Sequence, residues 1–161
     1  MRFSFLCLVI LIAWGLTSCV SPDKRINDQF EALPQINSTL LYEFSGVSSS
    51  ATGECIGSFQ VRWYGTAMNA EDIKKEYSGY LADNGWKIRL EEVVEIWSLE
   101  TDDGLYRLGT SIFTNPDSIS QEQGSYRLPD SILYEANRYH TVYTLSMVYA
   151  SPYVAKKCSG H

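Results

Sequence analysis

Cysteine carries the most readable chemistry in this chain, at positions 7, 19, 55 and 158. Its thiolate is a nucleophile and a metal ligand, and two cysteines can join as a disulfide. Cys7 lies within, and Cys19 closes, an uncharged run that begins at Phe3. Cys55 and Cys158 fall in the body of the chain. An even pair in an oxidising compartment reads as a disulfide. Closing a loop of about 100 residues, it would contribute roughly 4–5 kcal/mol in a chain-entropy treatment, less if strained. It would tie Lys156-Lys157-Cys158 to the start of a core strand. The alternative is a redox or metal pair, but C-x-x-C spacing is absent and only His140 and His161 could add imidazole ligands.

The remaining polar candidates are weaker. His140, beside Tyr139 at the mouth of a strand, could act as the general base of a hydrolase, although a lone histidine also serves in structural roles. Glu91-Glu92 and Asp102-Asp103 are adjacent carboxylate pairs of the kind that hydrolyse glycosides when the fold sets their separation. Adjacent strand residues point to opposite faces, however, and Asp102-Asp103 suits a turn. Ser48-Ser49-Ser50 lacks the glycines of a nucleophile elbow, and no glycine-rich phosphate loop occurs. Hence no catalytic residue, metal site or cofactor is assigned. The chain has 11 Tyr and 4 Trp, a composition that suits strands or, alternatively, a stacking surface for sugar or peptide. Trp63, Tyr77, Tyr80 and Trp86 are core residues in the simplest reading. They become the lining of a ligand groove if a helix stands off from the sheet.

The N-terminal segment supplies an address. Met1-Arg2 precedes the uncharged run, whose strongly apolar part, Phe3 to Leu16, is shorter than the ~20 residues that a spanning helix needs. A positive start, a short apolar segment and small polar residues make a signal peptide. Its end, Leu16-Thr17-Ser18-Cys19, resembles the lipobox of bacterial lipoproteins. That resemblance implies cleavage before Cys19 and a diacylglycerol group on its sulfur. Two or three acyl chains anchor stably where one does not. A plain secretory peptide would leave Cys19 as a reactive exposed thiol. Val20 follows the cysteine, so the aspartate of inner-membrane retention is absent. The expected location is the cell envelope, on the extracytoplasmic side of a membrane. Partners are then the membrane, through lipid on Cys19, and an envelope protein or cell-wall component. A net charge of -6, from 19 acidic and 13 basic side chains, gives no footprint for nucleic acid and no basic face for anionic lipid. Asn37-Ser38-Thr39 matches a glycosylation sequon, a short pattern that bacterial export renders coincidental.

At 161 residues the chain has room for one domain. The expected division is 1–18 signal peptide, 19–37 lipidated N-terminus and tether, and 38–161 a single α+β domain. Residues 20–29 read as a polar tether that lifts the domain off the lipid, with one helical turn over Phe30–Leu33 ended by Pro34. Strands are expected at Ser38–Phe44, at Cys55–Tyr64 with Phe59, Val61 and Trp63 on one face, and from Trp86 as one long strand interrupted by a bulge at Glu92. Further strands follow the Thr101–Gly104 turn and run from His140 to Ala150, the last with Tyr143, Leu145, Met147 and Tyr149 on one face. Asn69 caps a helix with an apolar stripe of Ile73, Tyr77, Tyr80 and Leu81, stopped by Asn84-Gly85, and a short second helix spans Pro129–Asn137. Together these make an antiparallel sheet of about five strands with one main helix on one face.

Tyr64-Gly65-Thr66, Glu71-Asp72-Ile73, Tyr77, Leu81 and Asn84-Gly85-Trp86 resemble a unit found in small α+β envelope lipoproteins of bacteria. No catalytic residue follows from that resemblance. Three functions remain in order: a non-catalytic envelope module, a small hydrophobic-ligand carrier with its cavity between helix and sheet, and a hydrolase using His140. A cavity above about 300 Å³ would favour the carrier. A carboxylate or nucleophile in reach of His140 would favour the hydrolase.

Overall fold

Alternating apolar residues in four separate stretches of this chain need a common sheet to bury them, and helices to cover it. A computed structural model shows how this is done; it describes residues 22–49, 56–91, 94–115, 119, 122–123 and 126–152. In chain order the elements are α1 (Pro22–Ala32), β1 (Ser38–Ser49), β2 (Ile56–Thr66), α2 (Ala70–Asp83), β3 (Lys87–Glu91), β4 (Val94–Thr101), β5 (Gly104–Phe113), β6 (Glu122–Gln123), β7 (Tyr126–Arg127), α3 (Asp130–Ala136) and β8 (Thr141–Ala150). Six strands form one antiparallel sheet in the order β1-β2-β8-β5-β4-β3, and β6 pairs with β7 in a small separate ribbon. The molecule is α+β, with helices on both faces of the sheet.

Register decides what each face carries. Tyr143, Leu145, Met147 and Tyr149 of β8 lie opposite Tyr64, Arg62, Gln60 and Ser58 of β2 and opposite Ile112, Thr110, Leu108 and Tyr106 of β5. This face is covered by α1 and α2, which add Ile26, Phe30, Leu33, Ile73, Tyr77 and Leu81 to one core. The opposite face presents Val61, Trp63 and Val142, with Phe59 and Phe113, to a second core closed by Ile119, Leu128 and Ala136. Period-two alternation places successive residues on opposite faces, so the two cores follow from one pattern.

The main helix forms as its residues dictate. Asn69 accepts a hydrogen bond from the Asp72 N–H at 2.9 Å, and the acidic first turn Glu71-Asp72 complements the helix dipole. Ile73, Tyr77 and Leu81, spaced by four, are buried. Gly85, at φ 80°, takes the left-handed conformation that ends the helix. The β4–β5 turn closes at Thr101 opposite Gly104, as the residues Thr101-Asp102-Asp103-Gly104 predict.

Three expectations are corrected. Residues 22–33 are not a polar tether with a single helical turn. They form α1 and its C-terminal extension, with Ile26 1%, Phe30 2% and Leu33 5% exposed. Three apolar residues at i, i+4 and i+7 suffice for a buried stripe when the rest of the helix faces water. The long strand from Trp86 is a hairpin: Glu91 pairs with Val94 and Ile88 with Trp97, so the chain reverses there and the strand count rises to six. The reversal brings Trp97 of β4 into the α1–α2 core, with Leu99 packed against it. Lastly, β1 does not stop at Phe44, as expected, but runs on to Ser49, with a register shift between Leu40 and Tyr42.

Candidate functional site

The four aromatics that could have lined a groove do not converge. Trp63 lies in the core beneath α3, stacked on Phe113 with ring centroids 5.6 Å apart, and its buried Nε1–H has no hydrogen-bond partner among the described residues. Tyr77, Tyr80 and Trp86 lie across the sheet, in and against the α1–α2 core. Between α2 and the sheet there is a crevice of about 10 Å³, bordered by Ile73, Tyr77, Trp97, Thr110, Tyr143 and Leu145. That is room for about one water, far below a ligand cavity. The Tyr77 and Tyr143 hydroxyls meet there at 3.2 Å, and Tyr143 donates onward to Ser38 Oγ at 3.0 Å.

His140 is exposed at the junction of α3 and β8, and among the described residues its side chain makes no hydrogen bond or ion pair. Asp102 and Asp103 sit in the β4–β5 turn. Cys19, Cys55, Cys158 and Glu92 lie outside the described residues, so the lipid site and the sulfur pair stay as the sequence has them.

What the fold assembles is a pair of arginine clasps that hold α1 to the sheet. Arg62 on β2 is only 12% exposed in its side chain. It donates through Nε to Glu43 Oε2 at 2.6 Å, through Nη1 to Glu31 Oε1 at 3.3 Å and through Nη2 to Asn27 Oδ1 at 3.1 Å. Its guanidinium also stands 4.4 Å from the Phe30 ring centroid. Burial alone would disfavour the charge, but Tyr64, Glu43 and Glu31 more than offset that and raise the Arg62 pKa. Arg25 on α1 makes the second clasp. Its Nη1 donates to the Asp103 carbonyl at 3.1 Å and to the Tyr149 hydroxyl, and pairs with Asp103 Oδ2 at 3.2 Å. The Tyr149 hydroxyl in turn donates to the Asp103 carbonyl at 2.6 Å.

These arrangements point to fastening and not to anion capture. Each guanidinium already faces a carboxylate and further acceptors, Arg62 through all three of its nitrogens and Arg25 through Nη1. Pairs this near the surface contribute about 0–1 kcal/mol each, and a cation over a ring adds about 0.5–2 kcal/mol. No local signal marks either clasp. Arg62 reads as the polar member of an alternating strand, and two of its partners, Asn27 and Glu31, come from the 19–37 segment that reads as tether.

The buried tyrosines set an alkaline limit. Burial and the neighbouring Tyr143 hydroxyl hold Tyr77 well above the usual tyrosine range, and burial raises Tyr143. Tyr106 is pushed up to about 12 by burial first and by the Asp103 carboxylate second. A folded-state pKa above the unfolded value means that the folded chain holds its protons more tightly. The resulting stabilisation is whole below about pH 10, the ordinary tyrosine value, and is lost progressively as pH climbs past it. Absorbance titration of tyrosinate should therefore show a late group that ionises together with unfolding, and a single ordinary phase near pH ~10 would contradict the burial of these three rings. Comparison with known protein families, with curated proteins and with solved structures finds no match to this chain.

Proposed function

We propose that this chain is a lipid-anchored envelope protein whose α+β body works as a non-catalytic binding module at the membrane surface. The observation that carries the reading is Leu16-Thr17-Ser18-Cys19 at the end of a short apolar run opened by Met1-Arg2. Diacylation of Cys19 fixes the body beside a bilayer on the extracytoplasmic side, and Cys55–Cys158 forms the disulfide suited to that compartment. A binding module fits the body better than a carrier, because the crevice under α2 has room for about one water.

The partner in this reading is an extended segment of another envelope protein, added to the outer edge of β1. An edge strand offers unpaired backbone groups, and charged residues along an edge discourage pairing. The β3 edge has Lys87, Arg89 and Glu91 within five residues. The β1 edge runs for 12 residues with one charged residue, Glu43, whose carboxylate is already held by Arg62. Strand addition to such an edge is a common mode of peptide recognition.

Two measurements test the reading. Mass spectrometry of the protein from its own envelope should find Cys19 at the N-terminus with a thioether-linked diacylglyceryl group; an unacylated N-terminus removes the proposal. A photo-crosslinking residue at Ser45 should then capture one envelope protein through an extended peptide, while the same residue at Lys87 captures none. Glycan adducts, or equal capture at both edges, would contradict strand addition.

A further inference from the structure

The lipid and the folded body are almost adjacent along the chain. Only Val20 and Ser21 separate Cys19 from Pro22, the first residue of α1. Three Cα–Cα steps span at most about 11 Å even when fully extended. Because α1 is fastened to the sheet, that short reach applies to the whole domain.

The direction of α1 across the sheet follows from its contacts. Near its start, Arg25 binds Asp103 of the β4–β5 turn and Tyr149 near the end of β8. Farther along, Asn27 and Glu31 accept from Arg62, which lies opposite Leu145 at mid-sheet. Beyond its end, the Asn37 carbonyl accepts from Thr66 Oγ1 at 2.7 Å, where Thr66 lies opposite Thr141 at the far end. The helix therefore starts at the sheet end that holds the β4–β5 turn.

The geometry points to one fixed orientation: the end of the sheet formed by the β4–β5 turn, the close of β1 and the close of β8 rests against the headgroups of the bilayer that holds the lipid. This inference rests on the proposed acylation of Cys19. Arg25 is about 5 Å along the helix from Pro22, so its Cα lies within roughly 16 Å of the lipidated residue, and its side chain reaches from there to Asp103 and Tyr149. Val47, 69% exposed near the close of β1, belongs to the same end. Its partner Ser58 lies opposite Tyr149. The opposite end, with Asn69, His140 and the close of β5, then faces outward. The ten residues of β8 set these ends roughly 30 Å apart.

The test uses the full acylated protein in phosphatidylcholine–phosphatidylglycerol vesicles that contain a headgroup-quencher lipid. A small fluorescent amino acid is placed at exposed Asp102 in one variant and at exposed Ala67 in another. At position 102 the emission should fall by about half or more, and at position 67 it should barely change, given the roughly 30 Å of sheet between them. Inserting about twelve Gly and Ser residues between Val20 and Ser21 adds roughly 20 Å of reach and should erase the difference. Equal quenching at the two sites in a chain whose acyl mass is confirmed overturns the orientation while leaving the lipid anchor intact. A chain without acyl mass overturns both.

Discussion

Replacing Phe30 with alanine should destabilise the body by about 3–5 kcal/mol, the usual range for truncating a buried phenylalanine. The ring is 2% exposed and packs with Ile26 and Leu33 against the sheet. It also lies under the Arg62 guanidinium, which would lose its apolar cover. Against a total stability of about 5–15 kcal/mol, such a loss takes a large share of what holds the fold. The effect separates two descriptions of residues 22–33. In a polar tether, any substitution would stay within about 0.5 kcal/mol. Asp28→Ala is the control, since it removes only an exposed pair with Lys24 in the same helix, worth about 0.3–0.5 kcal/mol. Urea unfolding of the chain beginning at residue 20 measures both. If Phe30→Ala changes no more than Asp28→Ala, α1 is not docked, and the short reach from lipid to body loses its meaning.

That helix also shows where reading residues one after another stops working. The main helix α2 was legible because its signals are local: Asn69 at the cap, Ile73, Tyr77 and Leu81 at helical spacing, and Asn84-Gly85 at the stop. The strands β2, β5 and β8 were legible through strict alternation, and Tyr143, Leu145, Met147 and Tyr149 do share a buried face. In α1 the same periodicity rests on three apolar residues among many charged ones, and its average composition is that of a linker. The hairpin at Glu91–Val94 lacks the Gly, Asn or Asp residues that mark a tight turn, so its two strands merged into one. Alternation shows which residues share a face, but not which helix covers that face. Trp63 and Tyr77 therefore read as members of one groove, yet they lie on opposite sides of the sheet. Arg62 was unreadable for a related reason: what makes it a clasp is Asn27, Glu31 and Glu43, brought to it by tertiary packing.

Loss of the proposed Cys55–Cys158 bond should cost an amount similar to the loss of Phe30, roughly 4–5 kcal/mol for a closed loop of about 100 residues, less if the bond is strained. Both sulfurs lie outside the described residues, but the strands that lead to them are well placed. Cys55 immediately precedes β2, and β8 ends at Ala150 shortly before Cys158. Ser58 of β2 lies opposite Tyr149 of β8, so the entry to one strand and the exit from its neighbour lie side by side. A bond there would fasten the central strand β8, whose loss would open both cores at once. The test follows from non-additivity. Cys55→Ser and Cys158→Ser each abolish the same bond, so either single change and the double change should destabilise the chain equally. Wild type treated with reductant should match all three. Two free thiols would instead give small, independent losses that add in the double variant, and reductant would leave the wild-type unfolding midpoint where it was. This end of the sheet is also the one proposed to rest against the bilayer, and with the proposed anchor in place the bond would brace the strands nearest the lipid.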